Sequence, residues 1–250
     1  MSDPELRPGV RQDDLTRMKP LADDRRRRRI ARNIVSALAS AVALAVVFTF
    51  APGRSTIEKA SLSTAYVSLL FLALTLSVGP ARILRRRKSP LSTHLRRDLG
   101  LWTTMLAASH VWLGLQVHMG GRLASYFIVQ HRAPNGSVTA GDAAFATANW
   151  LGLAATIALI LLAAISNDFS LRAMGARLWK NVQRSSYVAL VVVAFHGALY
   201  QLVEQRSVWL VMSFVLILLI VSGLQTLGAA ARRTGRHVAE AARHPEPLLP

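Results

Sequence analysis

Apolar residues in this chain are gathered into six runs rather than scattered, at Asn33–Ala51, Leu62–Gly79, Leu99–Met119, Ala143–Ser166, Ser185–Val203 and Val208–Leu227. None of the runs contains Asp, Glu, Lys or Arg. About 20 residues of helix cross a hydrocarbon core of roughly 30 Å, so runs of this length read as membrane spans. Between them lie Pro52-Gly53, Gly79-Pro80, Gly120-Gly121, the polar stretch at Asn167-Asp168, and Glu204-Gln205-Arg206, which are ordinary places for a helix to stop. The pattern predicts an all-α, polytopic membrane protein, a six-transmembrane-helix bundle over residues 33–228. Residues 1–32, polar and holding Pro4, Pro8 and Pro20, read as a disordered basic tail, and residues 229–250 as a C-terminal tail.

Charge sharpens this picture. The chain is 52% hydrophobic yet carries a formal net charge of +17. In a soluble domain that would suggest a nucleic-acid partner; here the charge sits apart from the apolar runs, which argues against nucleic acid. The N-tail, the 80–98 and 167–184 connections and the C-tail together hold 25 Lys and Arg, whereas the three alternate connections hold 5. Positive charge marks the cytoplasmic side. The alternation predicts that both termini are cytoplasmic, with the arginines at 25–29 lying against anionic lipid. The first run follows a long polar segment and reads as a retained helix rather than a cleavable signal. Cysteine is absent, which excludes covalent C-x-x-C-H haem, thiolate-held iron–sulfur clusters and disulfides.

Within the runs the readily ionisable or metal-binding side chains are His110, His118 and His196. Such residues are costly in a membrane and mark function by default. His110 and His196 each lie eleven residues into a run that starts from the cytoplasmic side. At 1.5 Å per residue that is about 16 Å, near the midplane of the hydrocarbon. Two imidazoles at one depth, on helices running the same way, suit the two axial faces of a haem. Each ring would donate its other N–H, expected to go to a carbonyl one turn earlier in its own helix. Small Ala107, Ala108, Gly114, Ala194 and Gly197 would let a flat group come close. The plainer alternative is that these histidines only hydrogen-bond neighbouring helices or line a proton path. His118, two turns above His110, is expected near the interface, a ligand or proton donor only in the weaker reading.

Two stretches carry a resemblance. Arg96-Arg97-Asp98-Leu99-Gly100-Leu101-Trp102 followed by His110 is one; Ser166-Asn167 through Gly175-Ala176-Arg177-Leu178-Trp179-Lys180 to Tyr187 and His196 is the other. They resemble the ferric-reductase-like transmembrane domain family, and within it the haem-binding membrane subunits of bacterial periplasmic methionine-sulfoxide reductase systems. The resemblance covers about half the chain. It implies a bundle in the bacterial inner membrane that binds haem b through His110 and His196 and passes electrons to an outer acceptor. The chain departs from the family at Gln183, where that subunit commonly has another histidine. An amide is a poor haem ligand, which argues for one haem rather than two, and His94 is a weak substitute. Arg177, Lys180 and Arg184 read as positive-inside charge, or as partners for a haem propionate, an anionic flavin or a lipid.

Larger ferric reductases resemble this domain but add a flavin- and nicotinamide-binding portion, and no Gly-rich nucleotide fingerprint occurs here. Quinol or a separate flavoprotein is therefore the expected donor, with quinone or FMN as the further cofactors this allows. The chain is expected to act as the electron-transfer subunit of an oxidoreductase. The outer connection from Gly120 to Asp142, with Tyr126, Phe127 and His131, is the expected docking site for a redox partner. The rival reading is a haem-free helical bundle serving as transporter, assembly factor or scaffold. The carboxylates or broken midplane helices that transport would favour are not evident.

Overall fold

A computed structural model describes residues 12–53, 55–85, 91–117, 124–128 and 140–241, and every regular element among them is helical. The elements are α1 (Gln12–Phe50), α2 (Thr56–Leu84), α3 (Leu91–Val117), α4 (Ala124–Phe127), α5 (Ala140–Ala164), α6 (Asp168–Gln183), α7 (Ser186–Val203) and α8 (Val208–Ala241). The chain divides into two units, residues 1–41 and 42–250. In the first, the Ser40 hydroxyl donates to the Ser36 carbonyl at 2.7 Å, closing its polarity within the helix.

The second unit is built around α2, the most buried of the long helices. It starts where Ser55 accepts from the Glu58 N–H at 3.1 Å, with Glu58 in the first turn as the helix dipole favours. Leu72, Leu76, Ala107, Leu159, Ala189 and Val221 form its central core, drawn from α2, α3, α5, α7 and α8. A second cluster of Val67, Phe71 and Leu106 packs against Ala43, Leu44 and Val47. The outside is as apolar as the inside: Trp112, Phe195, Leu202 and Leu219 are exposed. An apolar exterior over helices of this length belongs in lipid. Five stretches are long and apolar enough to cross, at Arg26–Phe50, Thr56–Leu84, Gly141–Ala164, Asp168–Val203 and Val208–Thr234. The chain is a multi-pass membrane protein. The third run, within α3, is less apolar than expected because Thr103, Thr104, Ser109, His110 and Gln116 dilute it.

Side chains tie the helices together across their faces. Ser68 donates to the Thr103 carbonyl at 3.1 Å, Thr104 to that of Leu159 at 3.3 Å, and Tyr66 to that of Leu210 at 2.9 Å. Away from water such bonds are worth about 0.6–2 kcal/mol each.

The described helices differ from the expected boundaries in four places. Residues 12–32, expected to lack structure, are helical, because extending a formed helix adds hydrogen bonds without a new nucleus; residues 1–11 lie outside the described residues. Gly79-Pro80 does not stop α2, which runs through Pro80 to Leu84. The 167–184 connection is not a loop but α6, capped by Asn167, which accepts from the Ser170 N–H at 2.7 Å. Its amphipathic pattern, split by Gly175 at φ 72°, suits a helix lying along a surface rather than crossing it. The tail expected from 229 onward continues α8 as far as Ala241.

Candidate haem site

Helices α3 and α7 bring His110 and His196 together, with ring centroids 6.3 Å apart and planes inclined at 69°. His110 Nδ1 lies 2.9 Å from the Ser61 carbonyl and 3.3 Å from its hydroxyl, both on α2. His196 Nδ1 lies 2.7 Å from the Ala148 carbonyl on α5. The ring N–H of each therefore goes to a neighbouring helix and not to a carbonyl one turn back, as expected from the sequence. An inward-pointing ring meets the flank of the packed neighbour, whose carbonyls keep a free lone pair after their intrahelical bond. The consequence for chemistry is the same. Nδ1 is engaged on both rings, and Nε2 has no hydrogen-bond partner among the described residues.

Close approach is made possible by Gly152. A Cβ added there would lie 2.7 Å from His196 Cε1 and 2.8 Å from Nδ1, so only glycine lets the imidazole rest on the α5 backbone. A cavity of about 410 Å³ opens beside the rings, within the range of about 300–1,000 Å³ usual for ligand and cofactor sites. Ala107, Gly114 and Gly197 line it as expected, whereas Ala108 and Ala194 do not.

A polar cluster beside the histidines also lines the cavity. Tyr200 sits 5.0 Å from His196, ring to ring, and donates to Asn149 Oδ1 at 2.6 Å. Asn149 Nδ2 donates to the Tyr126 carbonyl at 2.9 Å, and the Tyr126 hydroxyl to that of Gly114 at 2.8 Å. Arg206 lies 3.9 Å from both Glu58 and Glu204, held by the turn in which Gln205 adopts φ 46°. Tyr200, Asn149 and Glu58, with Ser61 and Gly152, were missed in the sequence. Tyr200 alone left a signal, one helical turn beyond His196. Tyr126 is buried in this network and is not a docking residue, contrary to expectation; Phe127 packs on Trp150 at 4.9 Å. His118 and His131 lie outside the described residues. His94 is exposed on α3, on the wall of a second cavity that also includes Gln183.

The paired histidines fit a haem. Two imidazole–metal bonds of about 2 Å, with about 1 Å from each ring nitrogen to its ring centre, put the centroids about 6 Å apart. The observed separation of 6.3 Å is of that size.

These features define the class as a polytopic helical membrane protein with paired histidines facing a cavity inside the bundle. No family model matches the chain. It is 31% identical over 144 residues to the protein-methionine-sulfoxide reductase heme-binding subunit MsrQ of Ralstonia nicotianae, which makes the relationship a distant one. The match takes in 58% of this chain, and the chain spans 59% of the length of that curated relative.

Proposed function

We propose that the chain is a b-type haem protein of the bacterial inner membrane that conducts electrons from quinol or a flavoprotein to an acceptor on the outer side. The observation that carries this reading is the 6.3 Å separation of His110 and His196. The distant relative, named as a haem-binding subunit, supports it, and its name makes a protein-methionine-sulfoxide reductase the acceptor to test first. In this reading α3 is the sixth span, its polar positions turned inward at Thr103 and His110, and both termini face the cytoplasm.

Bound haem supplies reversible one-electron chemistry. The chain's own residues do the rest. The Ser61 and Ala148 carbonyls engage Nδ1 of the two histidines, so that Nε2 of each would be the atom free to hold a haem iron. His110 and His196 would together hold a haem, and a haem held by two histidines would supply electron transfer rather than oxygen binding. Leu62, Leu69, Leu72 and Val193 on the cavity wall keep water away. One haem is proposed rather than two, because Gln183 and the exposed His94 make a poor second pair.

The test is spectroscopic. Membranes containing the chain are expected to show a low-spin b-type spectrum that sharpens on dithionite reduction. His110→Ala or His196→Ala should abolish it while the protein still inserts. Unchanged spectra in both variants would refute the assignment.

A further inference from the structure

Beneath the histidine cavity lies a second one of about 1050 Å³, and Leu72 and Leu159 of the central core line both. Among the described residues its wall carries Arg82, Arg96, Arg97, Lys180, Arg184 and Arg232, and one carboxylate, Asp168. A topology signal needs positive charge near the surface, but not charge directed into a cavity. Arg97 shows the difference. Its side chain is 26% exposed, its Nη1 meets Asp168 at 3.2 Å, and its Nε is buried with no hydrogen-bond partner. Asp168 itself is 78% exposed and reaches in from the rim. A buried guanidinium donor left open beside other cations calls for an acceptor with several oxygens.

The fold gathers these charges from distant stretches of chain. Asp168 opens α6, and the backbone break at Gly175 redirects the helix so that Trp179 Nε1 donates to the Ile165 carbonyl at 3.0 Å. That anchor brings Lys180 and Arg184 to the cavity wall, which Arg96 and Arg97 of α3 and Arg232 of α8 also line. Deeper in, the lining turns apolar at Leu72, Leu159, Leu162 and Ala163. The cavity is therefore amphiphilic, with a cationic rim and a greasy floor.

The geometry points to a binding site for a phosphate-bearing anionic amphiphile, an anionic phospholipid whose headgroup phosphate meets Arg97 and Arg184 and whose chains lie toward Leu159 and Leu162. Arginine's planar fork suits phosphate oxygens, and the deep apolar lining favours a lipid over a free anion. This site does not depend on haem at the histidine pair.

Native mass spectrometry of the full chain in detergent tests it, using phosphatidylglycerol and phosphatidylcholine with identical acyl chains. The wild type should retain phosphatidylglycerol about tenfold better, the size of one charge-assisted contact. Arg97→Gln with Arg184→Gln should bring that preference to about unity, with Arg97→Lys in between, given lysine's lack of a fork. Arg172→Gln with Arg177→Gln, exposed on α6 and off the cavity wall, should keep it. Circular dichroism on each variant separates lost binding from lost folding. Inorganic phosphate binding equally well through the same two arginines would support the phosphate site and assign it a soluble source. Equal loss in both arginine pairs, or no discrimination by the wild type together with no phosphate binding, would overturn the proposal. The haem spectrum should be unchanged in all these variants, so the two readings fail separately.

Discussion

Gln225 Nε2 donates to the Leu76 carbonyl at 2.8 Å. Residue 76 is four before Pro80, so this is the acceptor that proline leaves without its helical N–H. The side chain of α8 thus repairs the break in α2, and the apolar span continues where the sequence suggested a stop. Gly228, one turn further along α8, brings its backbone against Pro80; an added Cβ would come within 2.8 Å of the proline Cβ.

The repair predicts a coupling. Gln225→Leu should destabilise the protein by about 1 kcal/mol, read as a loss of thermal stability in detergent. In a Pro80→Ala background the restored N–H at residue 80 satisfies Leu76 itself, so the same substitution should cost much less. A double-mutant cycle measures this directly, and additive effects would show that Gln225 acts elsewhere.

Gly152→Ala should disturb the histidine pair without touching either histidine. Its new methyl would lie 2.7 Å from His196 Cε1, and one of the two must move. Haem content after purification is expected to fall severalfold, with the remaining spectrum shifted by altered ligation. Gly141→Ala, on the same helix with open space around it, should leave both haem content and stability unchanged.

The spans were legible because lipid imposes a single rule, long apolar runs interrupted by charge, and α2, α5, α7 and α8 follow it. The pairing of His110 with His196 was legible for a related reason: equal depth along helices running the same way is a matter of counting residues. What escaped depends on contacts between runs. Pro80 reads as a stop until Gln225, far along the chain, is known to reach Leu76. The partners of the two Nδ1 atoms lie on α2 and α5, which no spacing within α3 or α7 reveals. The amphipathic α6 reads in the sequence only as a charged connection between apolar runs, and helix formation there turns on the Asn167 cap and the Gly175 break.

Tyr200 and Asn149 separate packing from polarity near His196. Tyr200→Phe keeps the ring beside His196 and removes only the hydroxyl that donates to Asn149 at 2.6 Å. It should cost about 1 kcal/mol and leave the haem spectrum in place. Asn149→Ala should cost more, about 2 kcal/mol, because it strands the Tyr200 hydroxyl and removes the donor to the Tyr126 carbonyl. Thermal unfolding of the two variants side by side checks the order, and a larger loss for Tyr200→Phe would reverse the account.

Gly175 has φ 72° and ψ 156°, a conformation open almost solely to glycine. Gly175→Ala should therefore cost about 1–3 kcal/mol, or push α6 toward a continuous helix. A continuous α6 would swing its second half, carrying Trp179 off the Ile165 carbonyl it now meets at 3.0 Å. Trp179 would then sit in a different environment, and a shift in tryptophan emission relative to the wild type reports it. Trp179→Phe, which removes the indole N–H together with part of the ring and leaves the backbone break intact, should cost about 1 kcal/mol. Equal stability of Gly175→Ala and the wild type would mean that the break is not needed to seat α6.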